Sequence, residues 1–364
     1  MAQETNNPIK VLFIGFVGRS YSRSSTILNY ETSHLEKKYF ETPANLRKAF
    51  IALLKNKSIL RECSVIIVMS PCHMLTPLIK FIIRKPVILD AGWALTDGEL
   101  SRGIKGKRVF NLPLIYVTDL IAFICSNLIL VETNLQVERL HKLFHIKKNK
   151  LRVSLTGINE RDFNNNLKDK AKIEDITQRT SFKNAKLKIL FRGKMNRESG
   201  IDVIINAARE NNPEKFYIFV IGAQDQLKNM PANVAVLKNL SSAELKEVYA
   251  ISDMCIGQFS THPRLRYTIP HKAFEAAFFG KPYITALSPG IRDFLSTKDA
   301  MFVEHPTSEN LIRYIEKLSE FNKRDMLGTN IRNVYNLKAS QKIINLNFEK
   351  IVTEITTDLS DREK

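Results

Sequence analysis

The residues most suggestive of chemistry lie in YTIPHKAFEAAFFGKPYITA, residues 267–286, where Pro270, Lys272 and Glu275 precede a Gly-Lys-Pro break. Pro270 suits the first position of a helix, because its missing N–H would be unpaired there anyway. Lys272 then falls in the first turn, where the helix dipole disfavours a cation. That position makes sense if a bound anion takes both the backbone N–H groups and the ammonium, as a diphosphate can. Glu275 shares the same helix face. A carboxylate beside phosphate is useful only if it points past the anion to accept hydrogen bonds from sugar hydroxyls such as a ribose. The plainer alternative is an exposed helix on which Lys272 and Glu275 make an ordinary surface pair, contributing about 0.3–0.5 kcal/mol. His271 either faces the same anion or is solvated. Neither His271 nor His262 forms a nucleophilic set with a serine or cysteine.

A second group lies in the first half. Gly15 and Gly18 follow the opening strand in GFVGRS, either as a turn whose N–H groups approach a donor phosphate or as a plain βα turn; Arg19 and Arg23 would add positive potential. The spacing is not GxGxxG, and no acidic residue closes a clear second strand, so a nicotinamide site is poorly supported. In LDAGWALTDGEL, Asp90 ends an apolar strand and Asp97 lies in the following loop. Ligands of open α/β sheets bind outside the carboxyl ends of strands, which makes Asp90, Trp93 and Asp97 candidates for an acceptor side. Against that, aspartates commonly cap helices or make turns, and Trp93 can simply pack.

Elements able to position these residues are visible as β-branched runs alternating with helical stretches. The runs are Ile9–Ile14, Val65–Val68, Val87–Leu89, Leu128–Val131 and Leu151–Leu155, then Leu187–Phe191, Tyr217–Ile221, Val234–Leu237, Cys255–Ile256 and Tyr283–Thr285. Helices are expected near 201–210, 242–251 and 271–279. Repeated β then α predicts parallel sheets covered by helices, here restarted once, so an α/β protein of two Rossmann-like domains. Residues 1–163 form the first and 187–335 the second. Residues 164–186, polar and charged, read as a linker or surface insertion. Residues 336–364 read as a helical segment returning to the first domain.

At 364 residues and 44% hydrophobic, the chain can bury two cores. Its formal charge of +18 implies an anionic partner, and residues 1–185 carry 29 Lys and Arg against 16 acids. No aromatic-interleaved basic module is present, so nucleic acid is not expected as a partner. Four scattered cysteines suggest neither a disulfide framework nor a zinc site, and fit a reduced cytosolic compartment. No signal peptide is evident. The apolar window 111–131 is interrupted by polar residues and reads as a buried helix running into a strand. Leu46–Leu60 combines helically spaced apolar residues with Arg47, Lys48, Lys55 and Lys57. It is either an interfacial segment for an acidic membrane face or a core-facing helix with a solvated side.

The PxKxxE…GKP segment resembles the donor-binding signature of the group 1 family of retaining glycosyltransferases. Three further blocks resemble the family in order: TGINERDF from Thr156, LKILFRGKMNRESGID from Leu187, and Asn239–Gly257. The resemblance implies a GT-B fold, two Rossmann-like domains facing each other across a cleft. It also implies transfer of a sugar from a UDP- or GDP-linked donor to a glycan, lipid-linked or other acceptor, with retention and without a metal or other cofactor. Donor-binding residues would be Gly15, Gly18, Gly193, Lys194, Pro270, His271, Lys272 and Glu275, with Arg192 or Arg197 either substituting for a cation the phosphate loop lacks or lying as solvated surface charges, and with Lys272, Glu275 and Asp90 as the catalytic set. In the phosphate loop Lys194 stands where the family usually has arginine, and Ser199 where it has lysine. Tyr267 occupies the place of a first glutamate, so the chain is closer to a PxKxxE branch. The spacing of Asp90 and Asp97 resembles a D…D branch. The enzyme would act in the cytoplasm, including the inner face of the membrane. A nucleotide-sugar epimerase of the same architecture and a non-catalytic nucleic-acid-binding protein are the alternatives.

Overall fold

The computed structural model describes residues 7–16, 18, 22–103, 108–164, 174, 177, 178, 180–222, 229–238 and 240–360. Two compact units emerge: Met1–Gly157 with Gln341–Lys364, and Ile158–Ser340.

The first unit holds strands β1 (Ile9–Gly15), β2 (Leu35–Glu41), β3 (Val65–Met69), β4 (Val87–Gly92), β5 (Leu128–Val131) and β6 (Leu151–Val153). They form one sheet in the order β2-β1-β3-β4-β5-β6, with every pairing parallel. Its inner strands are apolar on both faces because both faces are covered. On one side, Leu12, Ile14, Ile66, Val68, Leu89 and Ile129 meet helices Leu46–Lys55, Leu75–Ile82, Arg108–Cys125 and Asn134–Phe144. On the other, Val11, Phe13, Val65, Ile67 and Leu130 meet Ile344, Phe348, Val352 and Ile355 of helix Gln341–Ser360. The Phe13 and Phe348 rings lie 5.7 Å apart, and Gln341 and Asn345 both donate to the Thr26 carbonyl of helix Ser22–Leu28. The C-terminal helix is thus one wall of the first unit.

The second unit holds β7 (Leu187–Arg192), β8 (Phe216–Ile221), β9 (Val234–Leu237), β10 (Met254–Ile256), β11 (Tyr283–Ala286) and β12 (Met301–Val303), all parallel, in the order β12-β11-β10-β7-β8-β9. This is the Rossmann strand order, and it reverses between β7 and β10. A crevice opens at that switch point, outside the carboxyl ends of the two strands.

The structure corrects several expectations. Strand β2, LEKKYFE, was invisible to an apolar-run reading because it is a charged edge strand; β12 is only three residues long. Residues 158–163 belong to the second unit rather than the first, because the Phe163 ring packs 5.1 Å from Phe279. Residues 336–340 stay with it too, extending helix Phe321–Val334 as a π-helical turn. Most of the 164–186 stretch lies outside the described residues, but helix Thr180–Asn184 sets Phe182 against Tyr217 of β8 at 5.6 Å. Helix Arg108–Cys125 runs into β5 as expected, yet it is not buried throughout: it exposes one apolar side.

Candidate active site

In the second unit, β7 ends at Arg192 and passes into Gly193, while β10 leads to Gln258. Helix His271–Phe278 begins beside both loops. Pro270 is its N-cap, one position earlier than expected, and no side chain caps that end. The three pieces wall a cavity of about 790 Å³, into which Arg192, Gly193, Lys194, Pro270, Lys272 and Glu275 all face. Ile221, Leu240 and Leu245 supply an apolar side.

Lys272 is buried although it is charged. Its Nζ donates to Gln258 Oε1 at 3.0 Å and lies 3.8 Å from the centre of the Phe191 ring. Both partners are neutral, and burial pushes the ammonium well below the usual lysine range, with Glu198 partly restoring it and Arg192 opposing. A cation so placed gains from any anion entering the cavity. Gly193 leaves room for it: a Cβ there would meet Lys272 Nζ at 2.7 Å.

Glu275 is 1% exposed. Its carboxylate pairs with Arg192, lies 3.2 Å from His271 Nδ1, and accepts from the Tyr249 hydroxyl at 2.9 Å. It is therefore neither a surface partner of Lys272 nor a free acceptor. A carboxylate offers about four lone-pair positions, so acceptor capacity remains for a ligand hydroxyl.

The phosphate loop is closed locally. Ser199, at the place of the expected lysine, is fully buried, donating from Oγ to the Asn196 carbonyl and from its backbone N–H to Asn196 Oδ1. Lys194 is exposed and faces the cavity, whereas Arg197 is exposed and is not among the cavity's lining residues. Gly200 then starts helix Ile201–Glu210 at φ +67°, and a Cβ there would sit 2.0 Å from the Phe259 carbonyl oxygen. Gly200→Ala should destabilise the second unit by more than the ~1–2 kcal/mol of the left-handed conformation alone. Urea unfolding followed by tryptophan-independent circular dichroism measures it, and an unchanged transition would contradict this geometry.

The first-unit candidates meet a different environment. Arg19 lies outside the described residues. Gly15 ends β1, where a Cβ would meet Met69 Cβ at 3.2 Å and Cys72 Sγ at 3.3 Å, so close packing with β3 accounts for it; Gly18 follows at φ +73°. Asp90 is 4% exposed and accepts from Arg23 Nε at 2.5 Å. Arg23 also donates to the Ser154 carbonyl and Thr156 Oγ1, and Thr156 donates to Glu132. Arg23 is thus a buried partner of Asp90, not a source of open positive potential, and the catalytic expectation for Asp90 meets a carboxylate already engaged. Asp97 accepts from Arg139 Nε and Nη2, at 3.0 and 2.8 Å. Trp93 packs over Gly98, where a Cβ would come within 3.2 Å of the indole nitrogen. Among the described residues, no three His, Cys, Asp or Glu are grouped to hold a metal ion.

The family model of the glycosyl transferases group 1 matches residues 137–334, more than half of the chain. The chain belongs to that family. Solved structures share the fold of this glycosyltransferase. The Anabaena protein HepE, in complex with UDP-glucose, is 13% identical, with a TM-score of 0.70 over 95% of this chain and 100% of that one. Sucrose-phosphate synthase from Thermosynechococcus elongatus is 12% identical, with a TM-score of 0.66 over 96% and 100%. UDP-GlcNAc 2-epimerase from Neisseria meningitidis is 14% identical, with a TM-score of 0.54 over 94% and 100%. At such identities the likeness concerns the fold. No curated protein matches the chain.

Sequence reasoning missed three residues of the glycosyltransferase's site: Gln258, which lines the cavity and holds Lys272, and, behind the lining, Tyr249, which fixes Glu275, and Phe191, which lies under the ammonium. Gln258 was findable, since it stands two residues past the end of β10 at the switch point. Tyr249 was not, because it reads as one apolar position among others on helix Ser242–Ile251.

Proposed function

We propose that this glycosyltransferase moves a sugar from a nucleotide-diphosphate sugar, UDP- or GDP-linked, to a glycan or lipid-linked acceptor, with retention of anomeric configuration and without a metal or other cofactor. The observation that carries the reading is the buried Lys272 ammonium, held by neutral groups at the open end of a helix and facing a cavity at the sheet's switch point. A diphosphate supplies the anion this cation lacks. In the reaction, the bond between the anomeric carbon and the diphosphate oxygen breaks as the acceptor's hydroxyl oxygen bonds to that carbon, Lys272 and Lys194 stabilise the charge growing on the departing oxygen, and the departing phosphate takes the acceptor's proton. Glu275, steadied by Arg192 and Tyr249, accepts from the donor's ribose. The chain's positive charge fits an acceptor presented at an anionic membrane face inside the cell. Family membership favours transfer over the epimerase alternative.

A thermal-stabilisation screen of UDP- and GDP-sugars tests the donor, since a ligand of the native state raises its apparent stability. One nucleotide class is expected to raise the melting temperature, and transfer with that donor is expected to survive EDTA. Loss of all turnover in chelator, restored by a divalent cation, would refute the metal-free reaction, and release of an epimerised sugar without acceptor would refute transfer.

A further inference from the structure

Nine of the fifteen large hydrophobic side chains exposed among the described residues sit on three helices of the first unit. Helix Arg108–Cys125 presents Phe110, Leu114, Val117, Ile121 and Ile124, at intervals of four, three, four and three residues, which places them in one stripe along its length. Phe110 is 83% exposed and Ile124 61%. Its one charged residue beyond Arg108, Asp119, is fully buried and caps the helix that follows Ala94, accepting from Thr96 N at 2.8 Å. Leu75–Ile82 packs against this helix and adds Phe81; Leu46–Lys55 packs against Leu75–Ile82 and adds Leu46, Ile51 and Leu54. All three helices bury their other sides in one core, so their exposed sides share the outer surface of that layer. Leu53, Ile79 and Phe123 belong to that core; none of these nine does.

The charge around the stripe selects its occupant. Residues 46–62 and 75–85 carry eight Lys and Arg against the single acid Glu62. Arg47, Lys48, Lys55 and Arg84 are exposed beside the apolar residues. An apolar face rimmed by cations is the pattern of a surface that lies in the headgroup region of an anionic bilayer, apolar side chains in the acyl boundary and ammonium groups on lipid phosphates. Among the described residues no helix is long and apolar enough to cross a membrane, so the contact is one of lying on it. We infer that the outer face of helices Leu46–Lys55, Leu75–Ile82 and Arg108–Cys125 docks on an anionic phospholipid bilayer. The inference rests on the membrane contact proposed above and not on the reaction.

Flotation of the full chain with phosphatidylcholine vesicles, with and without phosphatidylglycerol, tests it. The wild type is expected to float with the anionic vesicles and at least tenfold less with neutral ones. Leu114→Glu with Ile121→Glu, at exposed positions outside the core, should lower the bound fraction at least tenfold at unchanged circular dichroism. Should the charged pair disturb folding, Leu114→Ser with Ile121→Ser carries the same expectation. Absence of flotation by the wild type would overturn the inference, as would undiminished flotation of the variants. So would a dimer by light scattering that the variants dissociate while vesicles stay unbound, since the face would then belong to a second copy of the chain. Flotation needs neither donor nor acceptor, so its failure and failure of the transfer reaction are read separately.

Discussion

Lys272→Ala should lower kcat/KM for sugar transfer by at least about a hundredfold, the scale of losing one preorganised charge donor at a developing anion. The fold should survive, because the ammonium is desolvated and its removal relieves a cost rather than a bond network. Lys272→Met keeps the packing over Phe191 and should be as inactive as the alanine variant, which separates charge from volume. Initial-rate kinetics against donor, with melting temperature as the control, makes the comparison; wild-type rates in either variant would remove Lys272 from the reaction. The pH profile provides a second handle. Burial lowers the pKa of Lys272, so the cationic form is lost as pH rises through a value below that of a free lysine, about 10.4. The alkaline limb of kcat/KM, which reports the free enzyme, should therefore begin early, and saturating donor should move the corresponding limb of kcat to higher pH by stabilising the charge.

The largest stability effects are expected in the first unit, at Arg23 and Asp90. Removing either leaves the other as a buried uncompensated charge, at about 3–5 kcal/mol, while removing both should cost much less than the two losses added together. Arg23→Ala, Asp90→Ala and the double variant, unfolded in urea, form the cycle. The geometry behind it is specific: both side chains are buried, and Arg23 reaches Ser154 and Thr156 as well as Asp90. A further variant, Asp90→Asn, decides between two roles for Asp90. If Asp90→Asn retained full stability and abolished transfer, Asp90 would be a reacting group and its structural role would fall. Loss of activity only in step with unfolding is the expected result.

The sheets were legible in the sequence wherever strands are apolar on both faces. Leu128–Val131 and Val234–Leu237 coincide with the observed strands, and helices 201–210 and 242–251 coincide with their expected spans. The doubled apolar content of parallel strands made the strands legible and the regular β-then-α alternation the helices; the Ser241 and Glu244 capping box that starts helix Ser242–Ile251 is seen only in the structure. Strand β2 escaped because an edge strand answers to one neighbour and tolerates Glu36, Lys37 and Lys38. In the site, Lys272 was legible since a cation in a first turn is a local anomaly. The partners of Glu275 and of Asp90 were not. Arg23 and Asp90 are 67 positions apart, as Arg192 and Glu275 lie on separate elements, and no local pattern distinguishes a buried carboxylate with a cationic partner from one facing a substrate.

Because helix Gln341–Ser360 forms a wall of the first unit, translation order matters to this protein. The second unit is contiguous and can close as it leaves the ribosome. The first has its sheet strands by residue 153 but lacks Ile344, Phe348 and Val352 until roughly 200 residues later, a delay of about 10–40 s at 5–20 residues per second. Over that interval Val11, Phe13, Val65 and Ile67 lack the cover of that helix and have only neighbours such as Ile27 of helix Ser22–Leu28, so the nascent protein depends on whatever shields the rest of that surface during synthesis.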